Sequence, residues 1–224
     1  MAWALVHGFS QTPGSWDALA MPDATALRVP DDLGFAATAS RLGDEGGQAT
    51  YVGYSMGGRL CLQLALDRPE LVERLVLISA SPGIADDAER AARAEHDEEL
   101  ARAVERDGVD EFLEHWLAQP LFRTVPHERA GLDDRRAHNT VERLTHQLRA
   151  LGQGAQPNNW GRLGELQMPV LILAGQLDEK YVDLAHRMHA EVDAGRRTLA
   201  VVPDAGHACH LEEPFAVARL LLDW

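Results

Sequence analysis

The run VGYSMGG, residues 52–58, sets Ser55 two residues from glycine on either side, Gly53 and Gly57. A serine hydroxyl is a weak nucleophile or base until an imidazole takes its proton, and the imidazole in turn needs a carboxylate to orient it. A sharp turn from strand into helix is the device that presents such a hydroxyl. Residues up to Val52 supply strand, MGGRLCLQLAL supplies helix, and the small flanking residues let the two approach closely around a strained Ser55. The plain alternative is a glycine-rich turn whose serine merely caps the helix.

The partners come later in the chain. Asp178 follows the apolar run VLILA through Gly175, Gln176 and Leu177, and His207 follows TLAVV through Pro203, Asp204, Ala205 and Gly206. Each emerges from a strand end, so Ser55, His207 and Asp178 form a candidate triad. Taken singly, Asp178 would also serve as a helix start and His207 as a loop or core histidine. Asp204 competes as the carboxylate, although a neighbour on the same loop is poorly placed to orient His207. His210 competes as the base but lacks a preceding glycine to turn its loop. Charge developing on a substrate oxygen would be met by the backbone N–H groups of Met56 and Phe9, the latter in the loop after the first strand. His7 and Gly8 shape that loop, and His7 is itself a candidate substrate contact.

Metal and dinucleotide chemistry find no support. His207 and His210 precede Glu212 and Glu213, but without the HExxH spacing or a third ligand, and no GxGxxG occurs. No cofactor is expected.

These residues require a particular frame. Six short apolar runs, at residues 1–7, 26–29, 48–52, 75–79, 170–174 and 198–202, read as parallel strands covered on both faces. Helical segments separate several of them, and residues 211–224 read as a closing helix. The pattern predicts an α/β fold with an open, mostly parallel sheet. Between the fourth and fifth runs lies a stretch without strands. Residues 84–106, 109–118 and 135–150 read as its helices, with Phe112, Leu113, Trp116 and Leu117 on one apolar side and Val141, Leu144 and Leu148 on another. Residues 1–81 and 169–224 would form the core, and residues 82–168 a helical lid over the carboxyl ends of the strands, where open sheets place their active sites.

With 224 residues, 46% hydrophobic and 25% charged, the chain has the makings of a globular domain. Its net charge of −14 argues against a nucleic-acid partner, which needs a basic footprint. Cys61 and Cys209 make no disulfide framework. No run approaches the 18 or so apolar residues of a membrane span, and the chain opens on strand-like sequence without a basic leader, so a cytoplasmic protein is expected. No motif sets an oligomeric state.

Several segments are more selective than the triad. HGFSQTPGSW (7–16), GYSMGGRL (53–60), SPG with Arg90, Arg93 and Asp97, FLEHWLAQPLF (112–122), RRAHN (135–139), LRALGQGAQPNNW (148–160), GQLDEKY (175–181) and GHACHLEEP (206–214) span most of the chain. In these the sequence resembles the 2-succinyl-6-hydroxy-2,4-cyclohexadiene-1-carboxylate synthases, menaquinone-pathway members of the α/β-hydrolase superfamily. The resemblance implies the α/β-hydrolase fold and a lyase reaction that removes a ring proton and eliminates pyruvate, with the triad as base rather than as the site of an acyl-enzyme. It also implies anion-binding roles for Arg59, Arg93 and Arg136, and pocket positions for Tyr54 and Trp116. Arg59 fits on spacing too, since it lies about one helical turn beyond Ser55. A small polycarboxylate is therefore the expected partner, met by local arginines in an acidic chain. Arg93 and Arg136 would otherwise be solvated residues paired with nearby acids.

One region departs from that pattern. VPDDLGFAATAS, residues 29–40, replaces the family's PGHG turn and leaves room for only a stub of helix around residues 35–42. This predicts either a reshaped pocket wall or a diverged enzyme with reduced or altered activity. The same triad would equally serve a carboxylesterase or thioesterase acting through an acyl-enzyme, and a non-catalytic interaction protein is a third reading.

Overall fold

The computed structural model describes residues 2–224. Its strands are β1 (Trp3–Val6), β2 (Ala24–Leu27), β3 (Ala49–Tyr54), β4 (Val72–Ile78), β5 (Val170–Gly175) and β6 (Arg197–Val202). They form one parallel sheet in the order β2-β1-β3-β4-β5-β6. The first run was expected to begin at Met1, which lies outside the described residues. Because the chain passes from β2 back across β1 to β3, a crevice opens between the loops that follow β1 and β3.

Residue alternation explains why the apolar runs are continuous. Ala4, Val6, Leu75, Leu77, Val170 and Ile172 face one core, whereas Trp3, Leu5, Val76, Ile78, Leu171 and Leu173 face the other. The first is covered by α1 (Phe35–Gly46), α2 (Met56–Asp67) and α6 (Glu179–Glu191), and the second by α8 (Pro214–Asp223) together with Trp16 and Leu19. In α2 every residue from Met56 to Leu66 is buried, as a helix seated at the middle of the sheet requires.

The helices between β4 and β5 are α3 (Asp87–Leu117), α4 (Leu132–His138) and α5 (Val141–Leu151). They bury Ala101, Val104, Phe112, Leu113, Leu144 and Leu148 against one another, giving the insertion a core of its own. Gly108, at φ 80, kinks α3 where the sequence suggested two helices. The expected third helix is instead α4 and α5, parted at Asn139 and at Thr140, whose side chain caps α5. The closing helix likewise divides into α7 (Cys209–Glu212) and α8, the latter starting at Pro214.

The expected stub at residues 35–42 is a complete helix, α1, of 12 residues. Phe35, Thr38, Ala39 and Leu42 line its buried side, and this burial overrides the weak helical propensity of a stretch holding two glycines, a threonine and a serine among its alanines.

Candidate active site

The turn at Ser55 is strained in the sense the sequence predicts: φ is 50° and ψ −110° on a non-glycine residue. Glycines make the turn feasible. A Cβ on Gly57 would lie 2.1 Å from the Val6 carbonyl oxygen, and one on Gly53 would meet the backbone of Gly57 and Gly58 at 2.5 Å. The Ser55 N–H is anchored on the Ile78 carbonyl at 2.9 Å.

Ser55, Asp178 and His207 emerge from the carboxyl ends of β3, β5 and β6 and meet. His207 Nε2 lies 3.2 Å from Ser55 Oγ, and Nδ1 lies 2.7 Å from Asp178 Oδ2. Asp178 and His207 are both buried. The second oxygen of Asp178 accepts from the Tyr181 N–H at 3.4 Å and so caps α6. The His207 ring sits among Tyr181, Tyr54 and Phe122, with centroids at 4.6, 5.5 and 6.1 Å. Glu212, weighed in the sequence only as a metal ligand, grips the loop from behind: its carboxylate accepts from the Gly206 N–H at 2.7 Å and the Ala208 N–H at 3.0 Å.

Neither rival fits. His210 is fully buried between Trp16 and Tyr54, with neither ring nitrogen hydrogen-bonded among the described residues. Burial pushes its pKa down to about 3. Asp204 is exposed.

The backbone N–H groups of Phe9 and Met56 stand at the ends of β1 and β3, and neither donates to another group among the described residues. Both residues line the cavity above Ser55 together with Tyr54, Arg59, Arg93 and Trp116.

Two expected contacts lie elsewhere. His7 is wholly buried behind the cavity, where Nδ1 donates to the Gly8 carbonyl at 2.8 Å and Nε2 accepts from the Val29 N–H at 3.2 Å. Burial pushes its pKa down to about 3, so it is a neutral brace between two loops, and it does not line the cavity. Arg136 does not line the cavity. It faces outward to Glu114, Asp110 and Asp133, the pairing that its acidic surroundings allow. Its neighbour Arg135 lines the cavity instead.

The cavity arginines differ in how they are neutralised. Arg93 pairs with Asp97 at 2.8 Å and donates to Gln153 at 3.0 Å. Arg59 donates to Gln156 at 3.4 Å, and Arg135 to the carbonyls of Ala130 and Phe9 and to the Ser10 hydroxyl. Neither makes an ion pair among the described residues. Burial pushes both down to about 10, which leaves them cationic at neutral pH. A buried guanidinium without a carboxylate is costly, and an anionic ligand relieves that cost.

Sequence reasoning missed Arg135, Gln147, Gln153, Lys180 and Tyr181, all of which line the cavity. Lys180 carried a signal, being the one lysine in the chain. Arg135 carried another, since Leu132, Arg135 and Asn139 share a helical face that turns inward. Residues 29–40 do not line the cavity. Asp31 and the Leu33 carbonyl tie that segment to Arg143 and His146 on α5, and Phe35 places its ring 5.7 Å from the Arg59 guanidinium. Among the described residues, no group of His, Cys, Asp or Glu could hold a metal, and no helix is long and apolar enough to cross a membrane.

A parallel sheet with this elbow and triad defines an enzyme of the α/β-hydrolase fold, and the model of that family matches residues 5–214. Likeness to a Thermogutta terrifontis esterase solved with malate bound, at 21% identity and a TM-score of 0.79 over 100% of this chain and 89% of that one, speaks to the fold alone. Closer resemblances are more particular. A Bacillus subtilis (strain 168) relative assigned as a 2-succinyl-6-hydroxy-2,4-cyclohexadiene-1-carboxylate synthase is 31% identical over 98% of this chain and 88% of its own length. The synthase of that name from Serratia proteamaculans (strain 568) is 34% identical over 76% of this chain and 65% of its own. The structure of MenH from S. aureus superposes with a TM-score of 0.91, at 26% identity, over 100% of this chain and 92% of that one. The chain belongs to the 2-succinyl-6-hydroxy-2,4-cyclohexadiene-1-carboxylate synthase family.

Proposed function

We propose that this protein is a carbon–oxygen lyase that converts 2-succinyl-5-enolpyruvyl-6-hydroxy-3-cyclohexene-1-carboxylate into 2-succinyl-6-hydroxy-2,4-cyclohexadiene-1-carboxylate and pyruvate. Family membership supports the reaction class. The observation that carries it to this cavity is the pair of buried arginines, Arg59 and Arg135, which among the described residues lack carboxylate partners, beside a complete triad. An ester with an apolar acyl group has no use for them, whereas a substrate with three carboxylates does.

The acidic ring proton is the one at C2, which is next to the succinyl ketone and allylic to the C3–C4 double bond. Ser55 Oγ, hydrogen-bonded to His207 Nε2, takes this proton and passes its own to the imidazole. Asp178 holds the ring in place and stabilises the imidazolium. Negative charge developing on the ketone oxygen is met by the Phe9 and Met56 amides. The C2–H electron pair becomes the C2–C3 double bond, the C3–C4 double bond moves to C4–C5, and the C5–O bond breaks. The enolpyruvate released takes up a proton and tautomerises to pyruvate, and His207 returns to its neutral form. No water is consumed and no acyl-enzyme forms. Residues 82–168 act as a lid whose Arg93 and Arg135 help to hold the substrate carboxylates.

Intact-protein mass measured during turnover tests this against the carboxylesterase or thioesterase reading. Pyruvate accumulation without a mass adduct on Ser55 is expected. An acyl adduct at Ser55 without pyruvate overturns it.

A further inference from the structure

The loop carrying the Phe9 amide belongs to the sheet, yet its backbone is held from the insertion. Ser10 is fully buried and sits at φ 58, a left-handed conformation that a non-glycine residue keeps only when its surroundings impose it. Side chains of α4 and α5 supply the imposition. Gln147 Oε1 accepts from the Ser10 N–H at 3.2 Å. Arg135 donates to the Phe9 carbonyl at 3.2 Å and to the Ser10 hydroxyl. Asn139 Nδ2 donates to the Ser10 carbonyl and to the Arg135 carbonyl, each at 2.8 Å. The Phe9–Ser10 peptide is thus gripped at its N–H and at its C=O from two helices. The Phe9 ring packs edge-on to Trp116 of α3, with centroids 4.8 Å apart.

Gln147 makes this bond and no other from its amide: Nε2 has no partner among the described residues. Its place at 1% exposure is explained by the bond to Ser10.

We propose that Gln147 and Asn139 are positioning residues for the oxyanion site, Gln147 holding the Phe9–Ser10 peptide and Asn139 the following Ser10–Gln11 peptide, so that together they aim the Phe9 N–H. The insertion then serves the chemical step as well as substrate choice. Turning the gripped peptide turns the adjoining Gly8–Phe9 peptide about their shared Cα, and an oxyanion donor loses most of its effect when misdirected. The inference rests on Phe9 being an oxyanion donor, as the proposed function has it.

Gln147→Met and Asn139→Leu keep side-chain size; the first removes one bond from α5, the second two from the C-cap of α4. Gln147→Glu retains the acceptor for Ser10 and serves as rescue. Two readouts are taken on variants whose melting shows them folded: kcat and KM for pyruvate release, and the rate at which a fluorophosphonate labels Ser55. The label needs the oxyanion site and not the polycarboxylate pocket. The expected result is a fall in kcat of about 10- to 100-fold with KM within about 3-fold, labelling slowed about 10-fold, and both largely restored in Gln147→Glu. Wild-type labelling rates in the folded variants, or a rise in KM at unchanged kcat, overturn the proposal. If the wild type labels normally, the variants label slowly and no protein releases pyruvate, the positioning role stands and the elimination reading falls.

Discussion

Arg135 and Arg136 are neighbours in the chain that face opposite ways: Arg135 is buried at the cavity with no carboxylate partner among the described residues, and Arg136 is bound by Glu114 and Asp110 outside it. Arg135→Met should lower kcat/KM for pyruvate release by about 100-fold or more, the scale of a lost buried charge contact. Arg136→Met should change it less than about 3-fold, as exposed ion pairs contribute little. Steady-state kinetics on the pair checks both, and equal losses would place the substrate elsewhere.

Arg59 separates substrate binding from the general machinery. It lies one turn past Ser55, buried, with Gln156 as its side-chain hydrogen-bond partner. Arg59→Met is expected to cost about 100-fold in kcat/KM on the carboxylated substrate and under about 5-fold on a small neutral ester. The comparison is made with the same protein on both compounds.

Lys180 is exposed at the cavity and at an adjoining groove shared with Arg93 and Arg187. In a chain of charge −14 it offers an entering anion local attraction. Lys180→Ala should raise KM about 3- to 10-fold at low ionic strength with kcat unchanged, and the difference should shrink in about 0.5 M salt as screening grows. Measuring KM at two salt concentrations decides it.

How much of this was legible follows from the kind of signal each residue carried. Ser55, Asp178 and His207 each follow a short apolar run and a turn, and such runs can lie side by side in a parallel sheet, so local pattern sufficed. Arg136 was preferred to Arg135 because adjacent arginines look alike in sequence; the side of α4 on which Leu132 packs is what separates them. His7 has the residue type of a site residue, but its bonds to Gly8 and Val29 depend on two loops meeting across the sheet. The extent of α1 depended on burial against α2 more than on the propensity of its residues. Gln147 and Asn139 were invisible because their partner, Ser10, lies more than a hundred residues away.

Two of the buried histidines, His7 and His210, give a pH dependence with a definite sign. Burial lowers the folded-state pKa of His7 and of His210 from 6.5 to about 3. Between those values the unfolded chain binds protons that the folded one refuses, so this contribution is intact above about pH 6.5 and is lost as pH falls toward 3. Each histidine adds a slope of up to about 1.4 kcal/mol per pH unit in that window. Urea unfolding at pH 7, 5.5 and 4.5 should show the decline, and His210→Phe, which removes nitrogens that have no partner, should flatten it. A slope unchanged in that variant would contradict the assignment.

The most direct test of the lyase account is coupled pyruvate release from the freshly generated enolpyruvyl substrate, by the wild type, by Ser55→Ala and by a no-enzyme control. Ala fits the turn at Ser55, so the variant should fold while losing the base. Release far above the control is expected from the wild type, and release at the control rate from Ser55→Ala. Wild-type release at the control rate, or undiminished release by Ser55→Ala, would contradict the lyase account.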